Sequence, residues 1–179
     1  MHRSPLLELL KSYSTHYLEE QEYKNRTIDF VVSEPDCFKR ELIKGHITGS
    51  AMIVNQALTK TVLVLHAKIN KWLQPGGHAD GETDILMVAM KEAKEETGLN
   101  NLQIVSEILD IDVHTISARK LVPAHLHYDI RFLIIADENE PFQISDESTD
   151  IQWISLDEVP QYNSENSLLR MVEKVQNKD

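Results

Sequence analysis

The sequence predicts an α/β fold in which a mixed β-sheet lies between helical layers. Strand-like segments occur both before and after one amphipathic helix near the middle of the chain, and helical patterns occur at both ends. A sheet whose two apolar faces are covered by helices accounts for this order of elements. The length, 179 residues, is that of one domain.

The N-terminal segment is predicted to be helical. Residues 4–22 carry Leu and Tyr side chains at helical spacing, and a second helix is expected over 34–44, after the Ser-Glu-Pro-Asp start signal at 33–36. We therefore divide the chain into a helical arm, residues 1–44, packed on a core domain, residues 45–179. An exposed apolar stripe on the first helix would indicate a homodimer.

The core domain is predicted to contain strands on both sides of a central helix over 84–97. Runs of β-branched and apolar residues predict the strands, and helical spacing predicts the helices. The expected strands are 47–55, 61–67 and 71–74 before the central helix, and 102–116, 125–136 and 150–154 after it. A short helical turn over 156–161 and a closing helix over 164–176 complete the chain.

The central helix ends in three acidic residues, Glu92, Glu95 and Glu96, just before Gly98. Glycine is the usual residue at a left-handed helix C-cap, so these acids lie where the helix dipole favours positive charge. Glu92 also faces Glu95 and Glu96 at helical spacing, where each like-charged pair costs roughly 0.2–0.5 kcal/mol. A bound Mg²⁺ or Mn²⁺ ion, which prefers oxygen ligands, would offset both costs. The alternative is a solvated acidic face.

The chain is acidic, with a formal net charge of −11. This charge opposes broad attraction to nucleic acid or anionic lipid, so neither DNA nor a membrane is expected as a partner. Cys37 is the only cysteine, so no intrachain disulfide is expected, and a structural thiol is favoured over a nucleophile. No apolar run has the length of a membrane span and the N-terminus lacks a signal-peptide pattern, so a cytoplasmic protein is expected.

The segment that begins at Gly77 resembles the Nudix box, G-x5-E-x7-R-E-U-x-E-E-x-G-U, in which U is apolar. The matching residues are Gly77, Glu92, Ala93, Glu95, Glu96, Gly98 and Leu99. The segments GHITGSAMIV, KWLQPGGHADG, HLHYDIRFLI and IQWISLDEVP are similar to a bacterial subgroup of Nudix hydrolases. The resemblance therefore covers most of residues 45–160.

Two positions of the box differ. Thr83 stands where the box has Glu, with Glu82 one residue earlier, and Lys91 replaces Arg. In the family, these two positions form an ion pair that braces the loop against the helix. We expect Glu82 and Lys91 to form a looser brace, because Lys lacks the planar guanidinium of Arg.

The resemblance implies the Nudix α/β/α sandwich and hydrolysis of a diphosphate linked to another group. It implies that Glu92 and Glu96 are the principal ligands of Mg²⁺ or Mn²⁺, with Glu95 and the Gly77 carbonyl as additional ligands. The metal ion would bridge the phosphates and help to generate hydroxide, which attacks phosphorus without a covalent enzyme intermediate. The general base is either Glu92 or Glu147, and for Glu147 a plain acidic surface loop is the alternative.

A second group of polar residues alternates along the strand predicted over 125–136. His125, His127, Asp129 and Arg131 share one face of this strand. Arg131 can donate two hydrogen bonds to a phosphate, and histidine can donate to phosphate or bind a metal. We expect these four residues to face the substrate, and the alternative is a solvated face of a half-exposed strand.

The loop before the central helix supplies two further candidates. His78 and Asp80 lie beside the acidic residues in sequence, so we expect them near the phosphates of the substrate. His46 and His66 are weaker candidates, because most isolated histidines are structural.

The expected function is a metal-dependent Nudix pyrophosphohydrolase that cleaves a small, nucleotide-derived phosphorylated substrate, such as a nucleoside diphosphate derivative. Alternative substrates are a nucleoside triphosphate or a capped RNA, although the negative charge disfavours long RNA. A catalytically silent Nudix domain that binds a nucleotide as a sensor is an alternative of another class. The set of Glu92, Glu95 and Glu96 favours the enzyme, whereas Thr83 leaves room for the sensor.

Overall fold

The computed structural model describes residues 2–105, 108–119, 122–144 and 148–178. The helices are α1 (Ser4–Ser12), α2 (Leu18–Ser33), α3 (Ile85–Thr97), α4 (Val159–Tyr162) and α5 (Asn166–Gln176), with a 3-10 turn over Leu156–Glu158. The strands are β1 (Gly45–Asn55), β2 (Lys60–His66), β3 (Lys71–Leu73), β4 (Gly76–His78), β5 (Gln103–Ile104), β6 (Asp110–Ile116), β7 (His125–Ala136) and β8 (Ser148–Ser155).

Within these ranges the eight strands form one mixed sheet centred on two long parallel strands. β1 and β7 pair from Gly45–Leu126 to Asn55–Ala136, and β1 is buried along its full length. β2 and β4 pair antiparallel with the other edge of β1, while β5 and β6 pair antiparallel with β7. β3 and β8 both pair with β2.

Helices cover both faces of the sheet. Successive residues of β1 point to opposite sides, so this strand presents an apolar surface to the helices on each face. Ala51 and Ile53 pack in one apolar cluster with Ala93 of α3. Met52 packs in another cluster with Met171 of α5. This arrangement confirms the α/β sandwich with a mixed sheet that the sequence predicts.

The two N-terminal helices bury apolar side chains against the same face of the sheet as α3. Leu6 and Leu10 of α1 and Phe30 of α2 belong to one core cluster with Ile47 of β1 and Ile111 of β6. Leu6 and Leu10 are 2% and 0% exposed, so this part of the apolar stripe is covered within the chain, whereas Leu18 at the start of α2 is 81% exposed.

The prediction of a helix over 34–44 is wrong. Glu34 has an extended conformation (φ −111°, ψ 102°) and ends α2, and turns follow it. The residue before a proline is disfavoured in the helical region, so Pro35 marks a helix stop here rather than a start.

Two other predicted elements are divided in the structure. The single helix expected over 4–22 is two helices, α1 and α2, separated at Tyr13 and Tyr17, whose ψ angles of 137° and 117° are extended. α2 also continues to Ser33, beyond the predicted end. The strand expected over 102–116 is β5 and β6, and residues 106 and 107 between them lie outside the described ranges. None of the helices described is both long enough and apolar enough to cross a bilayer.

Candidate active site

The acidic end of α3 is fixed by the caps of that helix. The Asp84 carboxylate accepts a hydrogen bond from the Met87 amide at 3.2 Å and caps the N-terminus. Gly98 has φ 75° and forms the left-handed C-cap that the sequence predicts. Glu92, Glu95 and Glu96 therefore occupy the last turns of α3.

Strand β4 lies directly against the carboxylates of α3. Gly77 pairs with Gly49 of β1, and a Cβ atom added at Gly77 would lie 2.5 Å from the Glu92 carboxylate carbon. The Gly76 amide donates to Glu96 Oε1 at 3.4 Å. Only glycine allows the backbone to approach Glu92 this closely. Two carboxylates therefore converge on the backbone of β4, and this set of oxygen donors fits Mg²⁺ or Mn²⁺.

The third glutamate lies further out and pairs with Lys91. The Glu95 side chain is 58% exposed, whereas that of Glu92 is 16% exposed. Lys91 Nζ lies 3.7 Å from Glu92 Oε1 and 3.3 Å from Glu95 Oε2, and the negative charge of Glu92 and Glu95 raises the pKa of Lys91. Lys91 thus neutralises part of the repulsion on this helix.

Glu82 and Lys91 are not brought together as a brace. The Glu82 carboxylate accepts hydrogen bonds from the amides of Thr83, at 2.6 Å, and Asp84, at 2.9 Å. These backbone bonds lower the pKa of Glu82. The loop before α3 is therefore stabilised by Glu82 through its own backbone.

Asp80 forms an ion pair with Arg40, a residue for which the sequence gives no functional signal. Both nitrogens of one edge of the Arg40 guanidinium donate to the Asp80 carboxylate. The hydrogen bond to Asp80 raises the pKa of Arg40, and the charge of Glu92 adds to the shift. Arg40 is thus a cation close to the acidic site. Arg40 lies in the segment 34–44, which was predicted to be helical, so the sequence did not indicate that its side chain would reach Asp80.

Asp129 and Arg131 share a face of β7 as expected, but each is only 3% exposed. The Asp129 carboxylate accepts from the hydroxyls of Thr48 and Ser50 at 2.8 Å. Arg131 Nε donates to Asp129 at 2.7 Å, and Nη2 donates to Asp112 at 3.2 Å. The guanidinium that was expected to bind phosphate is therefore directed at carboxylates beneath the surface, although its Nη1 has no hydrogen-bond partner among the described residues.

The charges around Arg131 shift the ionisation of this buried group. Burial opposes the charge on Asp129, but Arg131, His114 and Ser50 outweigh it and lower the pKa of Asp129. Burial likewise opposes the charge on Arg131, and its three aspartate neighbours raise its pKa. Both groups are consequently charged at neutral pH.

His125 and His127 belong to a cluster of five imidazoles. The rings of His46 and His127, which are directly paired across β1 and β7, have centroids 4.8 Å apart. The full set, drawn from four neighbouring strands, is His46, His78, His114, His125 and His127. The sequence marks His46 only as a weak candidate and gives no signal for His114, because the pairing of strands distant in sequence brings them into the cluster.

The two most enclosed rings of the cluster are neutral at physiological pH. Burial, assisted by His78 and His125, lowers the pKa of His46 to about 4. Burial, assisted by His78 and His46, lowers the pKa of His127 to about 3.

Cys37 and Glu147 are the remaining residues that the sequence suggests as candidates. Burial raises the pKa of the Cys37 thiol to about 11, which is consistent with a structural role rather than a nucleophilic one. Glu147, the second candidate for the general base, lies outside the described residues.

The chain matches the model of one known protein family. The NUDIX domain model matches residues 46–175, which is most of the chain. The chain belongs to the Nudix family. This membership confirms the family that the sequence resembles, and it supports a hydrolase that acts on pyrophosphate bonds. No curated protein gives a significant match.

Solved structures with the Nudix fold are similar to this chain at low identity. An Ap4A hydrolase binary complex from C. elegans has a TM-score of 0.60 and 18% identity, and covers 73% of this chain and 94% of that chain. A NUDIX family hydrolase from Clostridium perfringens has a TM-score of 0.54 and 25% identity, with coverages of 73% and 96%. The NUDIX domain of Shewanella oneidensis NrtR complexed with ADP ribose has a TM-score of 0.53 and 16% identity, with coverages of 83% and 95%.

Proposed function

We propose that this Nudix hydrolase is a metal-dependent pyrophosphohydrolase that cleaves the diphosphate bond of a small nucleoside diphosphate derivative by attack of water at phosphorus. The convergence of Glu92 and Glu96 on the glycines of β4 carries the proposal. Glu92, Glu96, the more exposed Glu95 and the Gly77 carbonyl would hold Mg²⁺ or Mn²⁺. The bound cation would supply positive charge to the phosphates and lower the pKa of a bound water.

The remaining residues of the site would orient the two carboxylates and handle the proton. The Gly76 amide holds Glu96 from the β4 side. Lys91 lies close to both Glu92 and Glu95 and limits the repulsion between them. The proton of the attacking water would pass to Glu92 or to Glu147, the two carboxylates proposed as general base.

The substrate would lie between the acidic end of α3 and the histidines of β7. We propose His78, Asp80, His125 and His127 as groups facing the substrate, with Arg40 as a further cation. Arg40 can contact a phosphate because its side chain is 53% exposed although it pairs with Asp80. Asp129 and Arg131 would act from beneath this surface as positioning residues.

The charge of the chain and the names of similar structures support a small nucleotide-derived substrate. A net charge of −11 disfavours extended RNA. An Ap4A hydrolase and a domain complexed with ADP ribose share the fold. Dinucleotides and ADP-ribose are therefore the first compounds to examine.

The direct test is phosphate release, coupled to a phosphatase, from nucleoside diphosphate sugars, ADP-ribose, dinucleotides and nucleoside triphosphates, with Mg²⁺ or Mn²⁺. We expect turnover of one diphosphate class, and we expect Glu96→Gln to lower it by about 10²-fold or more, the scale of removing one charged transition-state stabiliser. Glu22→Gln, an exposed acid on α2, is the matched control and should retain full turnover. Equal turnover in Glu96→Gln at saturating metal would remove α3 from the mechanism.

The two candidates for the general base can be separated by the same assay. If Glu147 is the base, Glu147→Gln lowers kcat without weakening metal binding, because the carboxylates of α3 are unchanged. If Glu92 is the base, Glu92→Gln lowers kcat and metal affinity together, while Glu147→Gln has little effect on either.

A further inference from the structure

We propose that His46, His125 and His127 form a second metal site, one that binds a transition-metal ion such as Zn²⁺. The site differs in chemistry from the carboxylates of α3, and it does not depend on the activity proposed above. Three observations support it: the positions of the ligand atoms, the absence of hydrogen-bond partners for buried ring nitrogens, and the tautomer of His125.

The parallel pairing of β1 and β7 creates the arrangement. His46 and His127 are direct cross-strand partners, and His125 precedes His127 by two residues and so points to the same face. One ligand atom from each of the three side chains lies within 4.8 Å of the others. Two nitrogens on one tetrahedral Zn²⁺ are about 3.4 Å apart, given bonds of about 2.1 Å. Movements of about 1 Å, within the reach of side-chain torsions, would therefore close the site.

The buried nitrogens of this cluster are not satisfied by hydrogen bonds. His46 is 2% exposed, and among the described residues neither of its ring nitrogens meets the distance and angle of a hydrogen bond, although the Leu42 backbone lies near enough to oppose the fall in its pKa. Nε2 of His127 is also buried without a partner. A buried polar atom without a partner costs about 1–3 kcal/mol, so such atoms are rare unless something binds them. A metal ion would take a lone pair from each ring.

The backbone holds one ring nitrogen of the third histidine. Nδ1 of His125 lies 2.9 Å from the Pro123 carbonyl oxygen. A carbonyl oxygen only accepts hydrogen bonds, so Nδ1 carries the hydrogen and Nε2 keeps the lone pair. This second interaction is the one that usually fixes the tautomer of a metal-binding histidine.

Neutral rings favour a cation over an anionic ligand. Three imidazoles in ring contact would repel one another if charged, whereas uncharged rings offer lone pairs to a cation. Imidazole nitrogen suits Zn²⁺, Cu²⁺, Ni²⁺ and Co²⁺, whereas Mg²⁺ prefers oxygen. His78 and His114 flank the three rings, and His114 is itself held by Asp112 at 2.8 Å.

The test is a titration of the full-length, chelator-treated protein with Co²⁺ in excess Mg²⁺, followed by the visible absorption of the Co²⁺ ion. Excess Mg²⁺ competes with Co²⁺ for the carboxylates, and tetrahedral absorption distinguishes nitrogen ligands from octahedral oxygen ligands. We expect one equivalent with the intense absorption of tetrahedral coordination, displaced stoichiometrically by Zn²⁺. Complete loss of Co²⁺ binding in Mg²⁺, or weak octahedral absorption, would overturn the proposal.

Variants locate the ion. His125→Gln changes a half-buried side chain and should weaken Co²⁺ binding at least about tenfold, and His46→Asn should do the same. Glu96→Gln, and His16→Gln at an exposed histidine of the arm, are the controls and should bind as the parent does. Circular dichroism confirms that each variant is folded. Parent-like affinity in folded His125→Gln would exclude the site.

Discussion

At the scale of single residues, the contact between Gly77 and Glu92 decides the geometry of the acidic site. A Cβ atom at Gly77 would lie 2.5 Å from the Glu92 carboxylate carbon and 2.7 Å from both of its oxygens. The atoms it would meet are the end of a flexible side chain rather than backbone. The protein can therefore relieve such a clash by moving the carboxylate, at the expense of metal binding rather than of folding.

We accordingly expect Gly77→Ala to lower affinity for Mg²⁺ or Mn²⁺ by about 10–100-fold, the range found when the support of a metal ligand is disturbed. The free energy of unfolding without metal should change by less than about 1 kcal/mol. Titration calorimetry measures the first quantity, and urea unfolding in a chelator measures the second.

Gly81→Ala is the matched control for that substitution. Gly81 has φ 91°, and its added Cβ would meet no atom within 4 Å. Backbone strain should lower the stability of Gly81→Ala by about 1–3 kcal/mol while metal affinity is retained. If both variants lose affinity equally, the loop as a whole matters, and not the contact with Glu92.

Which site residues the sequence revealed depends on how local their contacts are. Glu92, Glu95 and Glu96 lie on one helix whose stop is marked by Gly98, so their grouping follows from helical spacing alone. His46 and Arg40 gain their significance from partners distant in sequence, His127 and Asp80. The burial of Arg131 could not be predicted from the sequence, because alternation along a strand does not tell which face of the sheet is covered.

At the scale of elements, a buried charged layer joins α2 and α5 to the edge of the sheet. Glu20 of α2 is fully buried and accepts hydrogen bonds from Lys174 of α5 at 2.7 Å and from the Ile111 amide of β6 at 3.0 Å. Arg170 of α5 donates two hydrogen bonds to Asp110 of β6, at 2.7 and 2.8 Å. None of these pairs could be read from the sequence, since their members lie 60 or more positions apart.

Replacing Glu20 tests this layer. Glu20→Gln leaves the Lys174 ammonium with one buried counter-charge fewer, and we expect it to lower the free energy of unfolding by about 3 kcal/mol. Glu22→Gln, two residues along the same helix and exposed, should change it by less than about 0.5 kcal/mol. Urea unfolding at pH 7 gives both values. If Glu20→Gln and the parent have equal free energies of unfolding, the buried ion pair makes no net contribution to stability.

The pH dependence of that difference follows from the ionisation of Glu20. Burial raises its pKa, but hydrogen bonds from Lys174, Thr15 and Tyr13 outweigh burial and the net pKa is lowered. A carboxyl whose folded pKa is depressed stabilises the protein above its unfolded pKa of about 4.3, and this contribution is lost as pH falls through the folded value. The stability difference between the parent and Glu20→Gln should therefore shrink below about pH 4. Parallel stability curves down to pH 3 would contradict it.

The ends of a helix can be predicted from the sequence where neighbouring residues mark them. The structure begins α3 one residue after the predicted start and ends it at the predicted residue, because a capping side chain and a C-cap glycine are short-range features. The sequence predicts a helix start at 34, whereas α2 ends at Ser33, because Pro35 is compatible with either a helix start or a helix stop. Packing of the preceding residues, Phe30 and Val31, into the core decides between them.

At the scale of the whole molecule, the question is whether residues 1–44 fold with the Nudix domain or apart from it. Phe30 of α2 stacks on Tyr128 of β7 with ring centroids 4.0 Å apart and an interplanar angle of 6°. Together with Leu6, Leu10 and the buried Glu20, this contact joins the arm to the central sheet. We therefore propose that arm and domain unfold as one cooperative unit.

Phe30→Ala tests that unit, because both tryptophans, Trp72 and Trp153, lie outside the arm. If the chain unfolds as one unit, loss of the buried ring should lower the stability reported by tryptophan fluorescence by about 3–5 kcal/mol. Val32→Ala, at a side chain 58% exposed on the same helix, is the control and should shift it by less than about 0.5 kcal/mol. An arm that unfolds independently would leave the tryptophan transition of Phe30→Ala unmoved while far-ultraviolet circular dichroism shows a separate, earlier loss of helix.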